Sequence, residues 1–130
     1  MKQLLKMTVL AMATFACGLC QANQISADFV KKEMHIAHSQ YLKGSLESGL
    51  YALEALARIL ESDTSATLQS SIGPHNLAFT YLRIGLLHEK SGNQQQAETF
   101  FNKAISAYQD QKVTITQLKD AVNQMDQKLG

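Results

Sequence analysis

Proline occurs once in this 130-residue chain, tryptophan is missing, and glycine appears only seven times. With so few residues that break helices, long helices can run uninterrupted. No run of β-branched residues alternates with polar ones between turn residues, so no strand is expected. A dominant charge is absent too. Twelve Lys+Arg stand against eleven Asp+Glu, without the basic stripe of a nucleic-acid binder or an acidic tail. Both cysteines, Cys17 and Cys20, lie near the start, so no disulfide framework spans the chain. Apolar residues still make up 45% of the sequence, enough for a packed core rather than disorder throughout. Abundant Ala, Leu, Gln and Lys complete the expectation of an all-α protein.

The only long apolar run is Met7 to Cys20, interrupted mildly by Thr8 and Thr14. It falls short of the roughly 20 residues a spanning helix needs. Lys2 and Lys6 precede it. Cys20-Gln21-Ala22 puts small residues three before and one before a cut ahead of Asn23. Residues 1–22 are therefore expected to be a signal peptide, and 23–130 a single exported domain, periplasmic or secreted, with no membrane span once cleaved. The bacterial reading rests on the look of this segment alone. Loss of Lys2 and Lys6 leaves ten Lys+Arg against eleven Asp+Glu, a net charge of −1, and no cysteine.

Two other readings attach to the cysteines. Cys17-Gly18-Leu19-Cys20 has redox C-x-x-C spacing, but no βαβ pattern follows it. Lipidation at Cys17 or Cys20 would anchor the protein instead. Thr14 stands where a lipobox has Leu before Cys17, and Leu19 is too large to precede a modified Cys20.

The mature chain reads as four long helices and a terminal one. The first, 27–42, has Ser26 or Asp28 as its cap and Phe29, Val30, Ile36, Ala37 and Tyr41 at helical spacing. Lys43-Gly44 ends it. Ser45 caps the second, 46–61, where Leu46, Leu50, Leu53, Leu56, Ala57 and Leu60 form the strongest apolar stripe in the chain. Residues 62–76 hold several Ser and Thr, Gly73 and Pro74, and read as a loop with at most a short turn around 66–70. The third helix, 77–90, ends at Ser91-Gly92. Asn93-Gln94-Gln95-Gln96 has capping-box form, Asn93 bonding forward and Gln96 reaching back, and opens a fourth helix to about Gln109. In the terminal helix, 115–128, Ile115, Leu118, Val122, Met125 and Leu129 make one apolar line on an otherwise polar surface, as the end cap of a helical stack requires.

Residues 78–111 resemble a tetratricopeptide repeat (TPR), a helix pair of about 34 residues. With Ala78 first, the aromatic fourth position is Tyr81, and the aliphatic seventh and small eighth are Ile84-Gly85. The turn glycine is Gly92, the small twentieth Ala97, the large twenty-fourth Phe101 and the small twenty-seventh Ala104. Helices in such a pair approach closely where a small residue faces a large one. Two positions depart from the family pattern: His88 stands at the aromatic eleventh, and Gln109 at the closing proline. A weaker copy covers 30–63, with Ile36-Ala37, Gly44, Gly49, Leu53 and Leu56 in register but Glu33 and Gln40 at the aromatic positions. The two registers lie 48 residues apart, so an insertion of 14 residues, Thr64 to Leu77, separates them. The implied architecture is a fragment of an α-solenoid: antiparallel helix pairs and a capping helix.

In this family the first helix of each pair lines a concave face that binds protein or peptide, through its second, fifth, ninth and twelfth positions. The resemblance places Lys31, Met34, His38 and Tyr41, then Phe79, Leu82, Leu86 and Glu89, on that face. Leu82 and Leu86 stand where members that clamp a terminal carboxylate have polar residues, so an amphipathic helix or an apolar peptide is the expected occupant. The same leucines could instead be covered by the protein's own helices. Two units are few for a stable stack, so either the terminal helix completes it or self-association covers Leu118, Val122 and Met125.

Other chemistry finds no seat. His35 and His38 are three apart on one helix, and zinc needs three or four ligands; Glu33 or His75 would have to supply the rest. His88-Glu89 lacks the second histidine of a zinc-protease helix, and there is no glycine-rich phosphate loop. No enzyme activity, cofactor, metal or nucleic-acid partner is expected. The functional expectation is a small exported adaptor that binds protein in the bacterial envelope. The alternative is a secreted effector or envelope lipoprotein in which the repeat only supports the fold.

Overall fold

The computed structural model describes residues 25–63, 66–108, 110 and 112–129. The segment expected to be a signal peptide, with both cysteines, and Gln109 fall outside them. The described residues form six helices and no strand: α1 (Ala27–Lys43), α2 (Leu46–Ser62), α3 (Ala66–Ile72), α4 (Asn76–Lys90), α5 (Gln94–Ala107) and α6 (Ile115–Leu129). The all-α expectation holds, with each long helix within two residues of its expected bounds.

Local chemistry sets these bounds. The Ser26 hydroxyl accepts from the Phe29 amide at 3.2 Å, and the Ser45 hydroxyl from the Ser48 amide at 3.1 Å, so α1 and α2 are both capped. At the start of α5 the Asn93 side chain accepts from the Gln96 amide at 3.4 Å. The return bond expected from Gln96 is replaced, because the Asn93 amide donates to the His88 carbonyl at 2.9 Å across the turn. Gly92 makes that turn at φ 84°, a backbone conformation that side chains with a Cβ resist. The full reciprocal box lies before α6. There the Gln117 amide donates to Thr114 Oγ1 at 3.2 Å, and the Thr114 amide donates to Gln117 Oε1 at 2.9 Å.

The segment read as a loop needs correction, because Ala66–Ile72 is helical and rests on α1. Its polar composition concealed one decisive residue. Leu68 is 5% exposed, and Ile72, one turn on, packs on the same core. A helix of two turns anchored by a single buried leucine shows no readable periodicity.

Helix α2 packs on both α1 and α4, and α4 packs in turn on α5. The two antiparallel pairs bury matching positions: Val30 with Ala78, Ala37 with Gly85, Gly49 with Ala97, Leu53 with Phe101, Leu56 with Ala104. At Gly85 the approach is so close that an added Cβ would lie 2.6 Å from the Phe101 ring and 3.3 Å from the Ala97 carbonyl oxygen. One matched position differs: Ile84 is fully buried, whereas Ile36 is 43% exposed. Ile84 belongs to α4, which has α2 beside it; α1 has no preceding pair among the described residues, which also leaves Phe29 exposed. The departure at His88 keeps its packing role, since the imidazole stacks on Phe100 at 5.7 Å between ring centres.

Candidate partner-binding face

The eight face residues expected from the sequence fall on α1 and α4. Lys31 is exposed, Met34, His38, Tyr41, Phe79, Leu86 and Glu89 are half-buried, and Leu82 is completely buried. The face is not open, because α6 lies across it. Leu118 and Val122 are buried in the same core as Leu82, and Met125 packs against that core. The idea that Leu118, Val122 and Met125 form an exposed self-association stripe is thereby corrected: they face inward, onto α4. Only Leu129, at the end of the line, stays exposed.

Two ion pairs set the direction of α6. Lys119 near its start meets Glu89 near the end of α4, Nζ to Oε2 at 3.0 Å. Asp126 near its end meets Arg83 in the middle of α4, Oδ1 accepting from Nη2 at 2.8 Å and from Nε at 3.2 Å. The helices therefore run antiparallel. The first pair is solvated and contributes little. The Lys119 ammonium also sits 4.5 Å from the centre of the Phe101 ring, which ties α6 to α5.

Arg83 is the residue that sequence reading missed. It is 3% exposed, in the apolar run Leu82-Arg83-Ile84. Burying an unpaired guanidinium costs several kcal/mol, on the order of 3–5, and here side chains from two other helices satisfy it. Asp126 from α6 takes two of its N–H groups, His38 Nε2 from α1 lies 3.2 Å from Nη1, and the Tyr41 ring lies 5.8 Å from Cζ. A guanidinium only donates, so His38 Nε2 accepts and its proton resides on Nδ1. Burial, followed by the Arg83 charge, lowers the His38 pKa to about 4, so the ring is neutral near neutrality. Burial and then the Asp126 carboxylate raise the Tyr41 phenol above its ordinary value. An Arg within an apolar run was the one available signal; its partner, 43 residues away in Asp126, carried none.

His38 is thus committed to Arg83, and a cation cannot share the nitrogen that accepts from a guanidinium. His35 is exposed, and the His75 ring stacks on Tyr108 at 4.2 Å, with Phe79 edge-on at 6.2 Å. Among the described residues no three His, Cys, Asp or Glu gather at metal-binding range. Nor does any described helix have the length and hydropathy to cross a membrane.

Two clefts border α6. One of about 280 Å³ runs between His38, Phe79 and Arg83 on one wall and Met125 and Leu129 on the other. The second, about 400 Å³, lies between Tyr41, Leu42 and Leu86 and the α6 residues Asn123 and Asp126. The helix covers the α1–α4 face without filling it. A third cleft of about 460 Å³, on the other side of α4, is lined by Tyr81, Asn102 and Lys103. There the Tyr81 hydroxyl donates to Glu61, and burial together with that bond raises its pKa.

No protein-family model matches the chain, and no curated protein or solved structure shows significant similarity to it.

Proposed function

We propose that this chain is an exported, TPR-like scaffold whose work is to bind another protein at the face shared by α1 and α4. The observation that carries this reading is the matched burial of the two helix pairs, Ala37 with Gly85, Gly49 with Ala97 and Leu53 with Phe101. Repetition of a small-against-large register across 48 residues is what stacked repeat units require. The signal-like segment is in keeping with an envelope location. One observation favours the rival reading, in which the repeat is purely structural: α6 already covers the face, and Leu82 is inaccessible.

Position-specific cross-linking separates the two. A photoreactive side chain is placed at Lys31 or Glu89 on the rim of the face, and at the exposed Glu98 on α5 as a control, in the intact chain in its native host. Discrete adducts from the rim positions but not from Glu98 support the scaffold. Adducts from neither rim position leave the repeat a structural device only.

A further inference from the structure

We infer that α6 is a displaceable occupant of the α1–α4 face, and that the partner this face accepts is an amphipathic helix bearing a carboxylate for Arg83. This rests on the scaffold reading and specifies its partner.

The requirement for an acid is built into the floor of the face. Arg83 is held nearly without water, with Nη1 directed at His38, and it needs an anion opposite Nε and Nη2. Any occupant that replaces α6 must supply one. Around that cation the floor is apolar, from Phe79 through Leu82 to Leu86, and Glu89 at its far end calls for a base. The complementary helix reads, in α6, as Leu118-Lys119, then Val122, then Met125-Asp126: an apolar line with a base near the start and an acid seven residues later. That spacing puts both charges on one side of a helix, two turns apart.

Three features make α6 the part that yields. Its helix-to-helix packing is chiefly on α4, whereas α4 itself is also held by α2 and α5. Its outer surface, including Thr116, Asp120, Gln124 and Gln127, is exposed, with no described residue packed on it. The cleft of about 280 Å³ beside it gives the face room for a larger side chain than Met125. An external helix with an aromatic residue at that position would bury apolar area that α6 leaves open.

The test uses a fluorescent peptide with the sequence of residues 113–129, titrated into the full-length mature chain. Wild-type protein keeps its own α6 in place and is expected to bind the peptide weakly. A chain carrying Asp126→Ala loses its internal latch and should bind the wild-type peptide about tenfold more tightly. A peptide with the same Asp126→Ala change should lose that gain. Equal binding in all combinations, or none in any, overturns the inference. Hydrogen exchange on the wild-type chain gives a second reading that does not depend on the variant's folding. Amides of Ile115–Leu129 should exchange at least about tenfold faster than those of Tyr81–Leu87. Exchange at one common rate would show that α6 never leaves by itself, and would also overturn the inference. A stable dimer dispersed by the peptide would assign the site to a second copy of this chain and exclude an external partner. If exchange of α6 fails while rim cross-links persist, the scaffold stands and only the displaceable helix falls.

Discussion

Phe101 lies against Gly85 with no room for a methyl group between them: a Cβ at Gly85 would stand 2.6 Å from two ring carbons. This contact fixes how closely α5 approaches α4. Gly85→Ala should destabilise the fold by up to about 2 kcal/mol, the overpacking penalty of roughly 1–3 less the roughly 1 kcal/mol better helix propensity of Ala. A urea titration would show a lower midpoint at an unchanged slope. Adding Phe101→Leu should recover part of the loss, since the two changes share one contact. Gly92→Ala is the control. Its φ of 84° carries the cost, with nothing within 4 Å, so a loss of about 1 kcal/mol is expected, and Phe101→Leu should not relieve it.

Arg83 and Asp126 differ in what each leaves behind when removed. Asp126→Ala strands a guanidinium whose side chain is only 4% exposed, at a cost of about 3–5 kcal/mol. Arg83→Met keeps the aliphatic packing and frees Asp126, which is 13% exposed and can turn to water. That change should cost about 1–2 kcal/mol. Combining Arg83→Met with Asp126→Leu should return stability to within about 1 kcal/mol of wild type, well short of the sum of the single losses. Thermal melts of the four proteins would measure the coupling, and additive losses would deny it.

The helices were legible because their evidence is local. Ser26, Ser45 and Gly92 announce ends, and the Leu53-Leu56-Leu60 spacing announces a buried side. The small–large register at Gly85, Ala97 and Phe101 was also readable, since each size is written in the residue itself. What escaped was non-local. Whether Leu82 faces a partner or the chain's own α6 depends on where a helix more than thirty residues away comes to rest. Asp126 looked like one more polar residue on a solvated surface. Leu68 escaped for another reason: one buried leucine in a seven-residue helix has no repeat to betray it.

The reciprocal cap at Thr114 and Gln117 offers a way to loosen α6 without touching the face it covers. Both residues are exposed, and neither contributes to the buried core. Thr114→Ala removes the acceptor for the Gln117 amide and should cost about 1 kcal/mol. The loss should concentrate in α6, so hydrogen exchange of Ile115–Leu129 should speed up while Ile84 and Leu87 keep most of their protection. Uniform acceleration across α4 and α6 would mean that the terminal helix unfolds only with the whole.

His38 makes the packing of α1 against Arg83 sensitive to acid. Its folded pKa is lowered from 6.5 to about 4, by burial first and then by the Arg83 charge, with His35 adding a little and Asp126 opposing. Between those two values the unfolded chain binds a proton that the folded chain refuses, so stability rises with pH across that window. The contribution is complete above pH 6.5, is lost as pH falls toward about 4, and changes no further below that. His38 is only partly buried, so solvent screening reduces the effect to about 1–2 kcal/mol. Replacing it by Gln keeps an acceptor for Nη1 and removes the titration. Urea unfolding of wild type and His38→Gln at neutral pH and at the acid end of the window should show a smaller acid loss in the variant. Other carboxylates titrate in both proteins and cancel in the difference. Parallel losses would mean that the Arg83 cluster does not set the acid sensitivity of this fold.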